Sequence, residues 1–143
     1  MAIDLPKLEL VTRIAVEIAP AIVIGDVGGG VREVIPITGG RFDGPLLRGD
    51  VLPGGADWCL SRPDGVFEIW ARYTLRTHDG VLISITNAGH AAVTPDGDFG
   101  GRTVPSFEVA PGPYAWLRSA AFGGTLLTKA DGSMAHVEIF RVL

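Results

Sequence analysis

Residues Val66–Gly80, VFEIWARYTLRTHDG, hold the longest unbroken two-residue alternation in the chain. Phe67, Ile69, Ala71, Tyr73 and Leu75 fall on one side of an extended backbone. Glu68, Trp70, Arg72, Thr74 and Arg76 fall on the other. Successive side chains of a strand point to opposite faces, so this period predicts a strand with one apolar and one charged, aromatic face. The functional question is where that second face looks: into water, or into a pocket.

On the N-terminal side, Leu8–Ile18 also alternates. Its segment LVTRIAVEIA could be drawn as a helix, but its β-branched content and Pro20 favour a strand. Ala21–Ile24 is a short apolar piece, and Val31–Ile37 reads as a further strand. Between Ile37 and Trp58 glycine recurs at 39, 40, 44, 49, 54 and 55. Glycine inside strands marks bulges, corners and close backbone approach, which a strongly curved sheet requires. Leu46–Leu52 and Ala56–Leu60 are the strands among them, and Arg62-Pro63-Asp64-Gly65 is a turn.

On the C-terminal side, Asp79-Gly80 signals a hairpin into Val81–Asn87. Ala88–Pro105 is polar, glycine-rich and poorly patterned, and reads as a long loop of the kind that forms lids. Ser106–Val109 and Tyr114–Ser119 read as short strands. Ala121–Thr128 and Met134–Val142 form a last hairpin. The pattern holds roughly nine to eleven short strands and no convincing amphipathic helix. Without helices to cover it, such a sheet must close on itself or double. The predicted class is all-β: a single closed antiparallel barrel over residues 1–143, with a sandwich as the alternative.

Composition narrows function mainly by exclusion. The chain has 143 residues, a formal net charge of −4 and a single cysteine, Cys59. One cysteine makes no intrachain disulfide, and Cys59 reads as a small buried apolar residue. Lysine occurs only at 7 and 129, far from the clustered basic footprint of a nucleic-acid binder. No apolar run reaches the roughly 18 residues of a membrane helix, and MAIDLPKLEL lacks the layout of a signal peptide. These features predict a cytoplasmic protein with no nucleic-acid or membrane partner. Gly28-Gly29-Gly30 satisfies neither phosphate-loop pattern and reads as a flexible turn. His78, His90 and His136 show no ligand spacing, so no metal is expected. No Ser lies in G-x-S-x-G.

The string PITGGRFDGPLLRGDVLPGGADW (36–58), followed by RPDG, ARYTL, Asp79-Gly80 and Tyr114-Ala115-Trp116-Leu117, resembles the family known as domain of unknown function 3237. The resemblance runs from about Leu8 to Val142. It implies a barrel similar to calycins and allene oxide cyclases, with little settled chemistry. The family pattern on the central strand implies an acid, a second acid two places on, and then Arg-Tyr. Here those positions are Glu68, Trp70, Arg72 and Tyr73, so Trp70 replaces the second acid. The resemblance also implies a shortened region between Asn87 and Phe107.

Two readings of the central strand stay open. If its polar face is interior, Glu68 is a candidate general base, and Arg72 would hold a substrate carboxylate or an enolate. If it is exterior, the apolar face fills the barrel and the charges are solvated. Trp70 weighs against a wet face unless it finds a partner surface. Asp57 either caps turn amides or supplies an acid at the pocket mouth. Trp58, Asn87, His90, Tyr114 and Trp116 are candidate substrate-binding residues beside Trp70. The expected function is a cofactor-independent isomerase, cyclase or lyase acting on a hydrophobic or aromatic small molecule. The competing expectation is a non-catalytic, lipocalin-like binder, and a homo-oligomer is the third element of the reading.

Overall fold

The computed structural model describes residues 3–143. Ten strands follow in order: β1 (Leu8–Ile18), β2 (Ile22–Asp26), β3 (Val31–Asp43), β4 (Gly49–Val51), β5 (Gly55–Ser61), β6 (Phe67–Thr77), β7 (Leu82–Val93), β8 (Phe99–Val109), β9 (Ala121–Thr128) and β10 (Met134–Val142). Neighbours pair antiparallel from β6 through β10, β10 pairs β1, and β1 pairs β3. β4 and β5 together bridge β3 to β6 as one interrupted stave. The result is a closed barrel of eight staves, with β2 added beside β3 outside the ring. The barrel expectation is met, and β1, β9 and β10 have the predicted bounds.

Closure bends the sheet sharply, and glycine makes this possible where β1 crosses β3. Gly40 has φ +138°, and a Cβ there would run into the Ala15 carbonyl. A side chain would therefore meet both backbone strain and a collision at this corner.

Two expectations are corrected. Residues 88–105 are not a loop: β7 runs to Val93 and β8 starts at Phe99, joined by a tight turn in which Thr94 N–H donates to the Asp98 carbonyl at 2.8 Å. The polar, glycine-rich composition masked the strands because Gly89 and Gly101 sit where a Cβ would strike the neighbouring backbone. No lid therefore exists there. Tyr114–Ser119 is not a strand either. Ala115–Arg118 is a single 3₁₀ turn, in which Leu117 N–H donates to the Tyr114 carbonyl at 3.0 Å.

That turn closes one end of the barrel. Leu117 is buried there in the same cluster as Val11, Leu75, Ile83, Ile85 and Ile139. The other end is not filled in this way.

Candidate functional site

The unfilled end is a cavity of about 560 Å³, within the range of small-molecule sites. Its lining includes Ala19–Ala21 and Asp131–Ser133, from the β1–β2 and β9–β10 connections, so those loops frame the mouth. Phe67 and Phe99 also line it and pack edge to face, with ring centroids 5.2 Å apart. The wall is mostly aliphatic, as Val16, Ile35, Ile37, Ile69 and Val137 show.

The inward face of β6 is the apolar one. Phe67, Ile69, Ala71 and Tyr73 line the cavity, and Leu75 lies below them in the packed end. Ala71 is the key to the space. It stands opposite Asp57 on one side and Asn87 on the other, and all three line the cavity. A methyl between two polar side chains leaves room that a larger residue would fill. Tyr73 follows one inward position further along β6.

The polar groups at this level are unusual for an apolar cavity. Tyr73 is 3% exposed and Asn87 2%. The Tyr73 hydroxyl and Asn87 Oδ1 are buried without a hydrogen-bond partner among the described residues. An unpaired buried polar group costs about 1–3 kcal/mol, so both groups are primed for a partner brought in from outside. Asp57 Oδ1 accepts a hydrogen bond from the Trp70 backbone N–H at 3.0 Å. Burial nevertheless pushes the Asp57 carboxyl up to about 6, against the lowering effects of that N–H and of Arg32. Burial, and then the nearby Asp57 charge, raise the Tyr73 hydroxyl well above its usual value, so it stays a proton donor at neutral pH. The Cys59 thiol, also in the lining, is pushed up to about 12 by burial and then by Asp57 and Glu33, which leaves it far from a reactive thiolate.

The structure brings Asp57 and Asn87 of the expected site residues into the cavity and leaves the others out. Glu68, Trp70 and Arg72 lie on the outer face of β6 and are absent from the cavity lining, which decides the open choice for the exterior and corrects their selection as pocket residues. Arg72 pairs with Glu108 of β8 at 2.8 Å, and Glu68 lies 3.8 Å from Arg62. All four side chains keep much of their exposure, so neither charge has to give up its water. Trp58 and Trp70, 38% and 43% exposed, pack edge to face against each other with centroids 5.7 Å apart. The partner surface that Trp70 requires is thus Trp58 of its own chain. His90 is exposed and stands opposite Arg102. Tyr114 and Trp116 belong to the closed end. The Tyr114 hydroxyl donates to Asp79 Oδ1 at 2.8 Å, and the Arg141 guanidinium stacks 4.9 Å from the Trp116 ring centroid. Tyr114 is the N-cap of the 3₁₀ plug and Trp116 lies within it, and both are absent from the cavity lining.

Tyr73, Glu33, Phe67 and Phe99 line the cavity but were not among the candidate site residues, Phe67 and Tyr73 being read as barrel filling. Tyr73 was legible in part: a phenol on an otherwise aliphatic face needs a partner for its hydroxyl.

The family described as "Protein of unknown function (DUF3237)" matches residues 6–142. A UPF0311 protein of Rhodopseudomonas palustris is 34% identical over 142 residues, covering 88% of this chain and 92% of the relative. A solved structure of a protein with unknown function from Clostridium acetobutylicum superposes with a TM-score of 0.91 at 30% identity, over 99% of this chain and 100% of that one. A solved structure described as an enzyme from Penicillium herquei has a TM-score of 0.78 at 22% identity, over 100% of this chain and 98% of that one, a likeness of fold alone. The resemblance read from the 36–58 string is thereby established.

Proposed function

Because the chain belongs to the family of proteins of unknown function DUF3237, whose description names no chemistry, we propose its function from the cavity itself: it is an isomerase, cyclase or lyase that moves a proton on an apolar, aromatic small molecule. The observation that carries this reading is Asp57, a carboxyl held near 6 on the wall of an apolar cavity. A general base works best when its pKa lies near the operating pH, and burial supplies that here. In this reading Asp57 takes a proton from the substrate at one atom and returns it at another, or to the leaving group. In the same reading the Tyr73 hydroxyl donates to the oxygen on which negative charge develops, and Asn87 donates to it through its side-chain N–H, while the unpaired Asn87 Oδ1 is left to accept from a substrate hydroxyl. Such a reaction needs proton transfer only. The resemblance of the barrel to an enzyme from Penicillium herquei is compatible with this reading but does not carry it.

The general base is therefore Asp57 in place of Glu68, and the anion-stabilising groups are Tyr73 and Asn87 in place of Arg72. The test is solvent exchange. A fused-ring ketone, β-tetralone, is incubated with the protein in D₂O and followed by proton NMR. The wild type is expected to accelerate deuterium uptake beside the carbonyl. Asp57→Asn should lose that acceleration by about 10²–10⁴-fold, the usual contribution of a positioned acid–base group, while still binding the ketone. Binding by both proteins with no acceleration by either would favour the non-catalytic, lipocalin-like reading, which the apolar cavity supports equally.

A further inference from the structure

The acidic and basic residues are distributed unevenly about the cavity. Its lining includes three acidic residues, Glu33, Asp57 and Asp131, and no Arg, Lys or His among the described residues. The basic group that acts on Asp57 is Arg32, whose side-chain Nη1 donates to the Trp58 carbonyl at 2.8 Å. Arg32 neighbours Glu33 in the chain and so points to the opposite face of β3, away from the cavity. Arg72, which in the sequence reading would receive a carboxylate, is engaged outside with Glu108.

We propose that this cavity selects uncharged ligands and rejects anionic ones: its substrate class is a neutral, mostly apolar ring compound carrying a hydroxyl or carbonyl oxygen, seated between Asp57, Tyr73 and Asn87. The inference rests on the cavity being the ligand site, as in the reading above, and adds the charge class that the site accepts. Two effects produce this selection. The first is repulsion. A carboxylate or sulfonate entering an apolar cavity leaves its water behind, and here it meets acidic side chains with no basic residue in the lining among the described residues, Arg32 acting only from the other face of β3. The second is satisfaction of hydrogen bonds. Asp57 accepts, the Tyr73 hydroxyl donates and accepts, and the Asn87 amide can do either, which together suit a hydroxyl or a carbonyl oxygen. Specificity of this kind comes as much from the repulsive element as from the attractive one.

Two probes of the same ring system separate the charge from the shape: N-phenylnaphthylamine, which is uncharged, and anilinonaphthalene sulfonate, which is anionic. Each is titrated by fluorescence against the wild type, the double variant Glu33→Gln/Asp57→Asn, and the cavity-filling variant Ala71→Leu. A second filler, Ile35→Phe, replaces Ala71→Leu if that variant does not fold by circular dichroism. Binding that survives the fillers is surface binding and is subtracted. The uncharged probe is expected to bind the wild-type cavity about tenfold or more tightly than the sulfonate, and the double variant to close most of that gap by binding the sulfonate better. Equal wild-type affinities, both abolished by the fillers, would overturn the charge selection and leave the cavity as the ligand site. A failure of both probes to bind, or binding of both that the fillers do not touch, would overturn the charge selection together with the cavity reading.

Discussion

The two halves of the barrel interior are built from inward positions of the same strands, yet one is packed and the other is open. On β6 the inward series is Phe67, Ile69, Ala71, Tyr73 and Leu75. Its first four members line the cavity, and Leu75 is fully buried against the closed end. On β7, Ile83 and Ile85 are fully buried in the packed half, while Asn87 and Ala91 line the open one. Two devices make the difference. The 3₁₀ turn carries Leu117 into the closed end, and Phe122 packs edge to face on Phe107 there, with centroids 4.9 Å apart. At the open end the small Ala71 sits between Asp57 and Asn87, and no plug descends. Alternation therefore separates the two faces of each strand, but the volume of individual residues and the path of one short turn tell filled from empty.

The sharpest way to break this comparison is Asp57→Asn. In the open half it should slow the proposed deuterium exchange into β-tetralone by about 10²–10⁴-fold while ketone binding persists, read as initial rates against titrations on the same preparation. The packed half should respond in stability. Leu75→Ala is expected to cost about 2–5 kcal/mol in urea unfolding, because the closed end cannot collapse around the missing atoms.

The pH dependence separates the halves again. The Asp57 carboxyl is at about 6 in the folded chain against 3.8 in its ordinary state. A raised folded value means that folding favours the protonated form. That contribution is fully present below 3.8 and is lost as pH rises through 6. Asp57→Asn, which cannot ionise, should thus be more stable than the wild type at pH 8, by about 2–3 kcal/mol from the linkage relation, with the gain fading toward pH 4. A gain of the same size at both pH values would show that the carboxyl is not held high by burial.

The smallest effects belong to the outer face of β6. Glu68→Gln and Arg72→Gln should each change stability by no more than about 1 kcal/mol, as exposed ion pairs do, and leave turnover at the wild-type level. A large loss of activity in either variant would return the site to the outer face.

Much of the barrel was legible because it rests on local rules. The alternation of β1, β6, β9 and β10, the Asp79-Gly80 turn and the glycine corners each identify themselves within a few residues. The stretch from Ala88 to Pro105 did not, because its strands are made of small and polar residues whose reason lies in the neighbouring strand: Gly89 and Gly101 make room for backbone across the ladder. The 3₁₀ turn at Ala115–Arg118 was hidden likewise, since YAWLR alternates as a strand would. Of the candidate site, Asp57 and Asn87 were found from the sequence. For Glu68, Trp70 and Arg72 the sequence leaves the two faces of the choice open, because a charged and aromatic strand face is costly to leave wet and equally costly to bury unpaired. The structure resolves that cost outside the barrel, with Arg62 beside Glu68, Glu108 beside Arg72 and Trp58 beside Trp70.

By itself the sequence determined that this chain is a barrel of short strands and that β6 has two chemically distinct faces, because period and turn chemistry act over neighbouring residues. Only the tertiary structure decided which face is inside, that the interior is half empty, and that Asp57, Tyr73 and Asn87 meet around Ala71. Those facts depend on register between β5, β6 and β7, and on how distant side chains fill a shared volume.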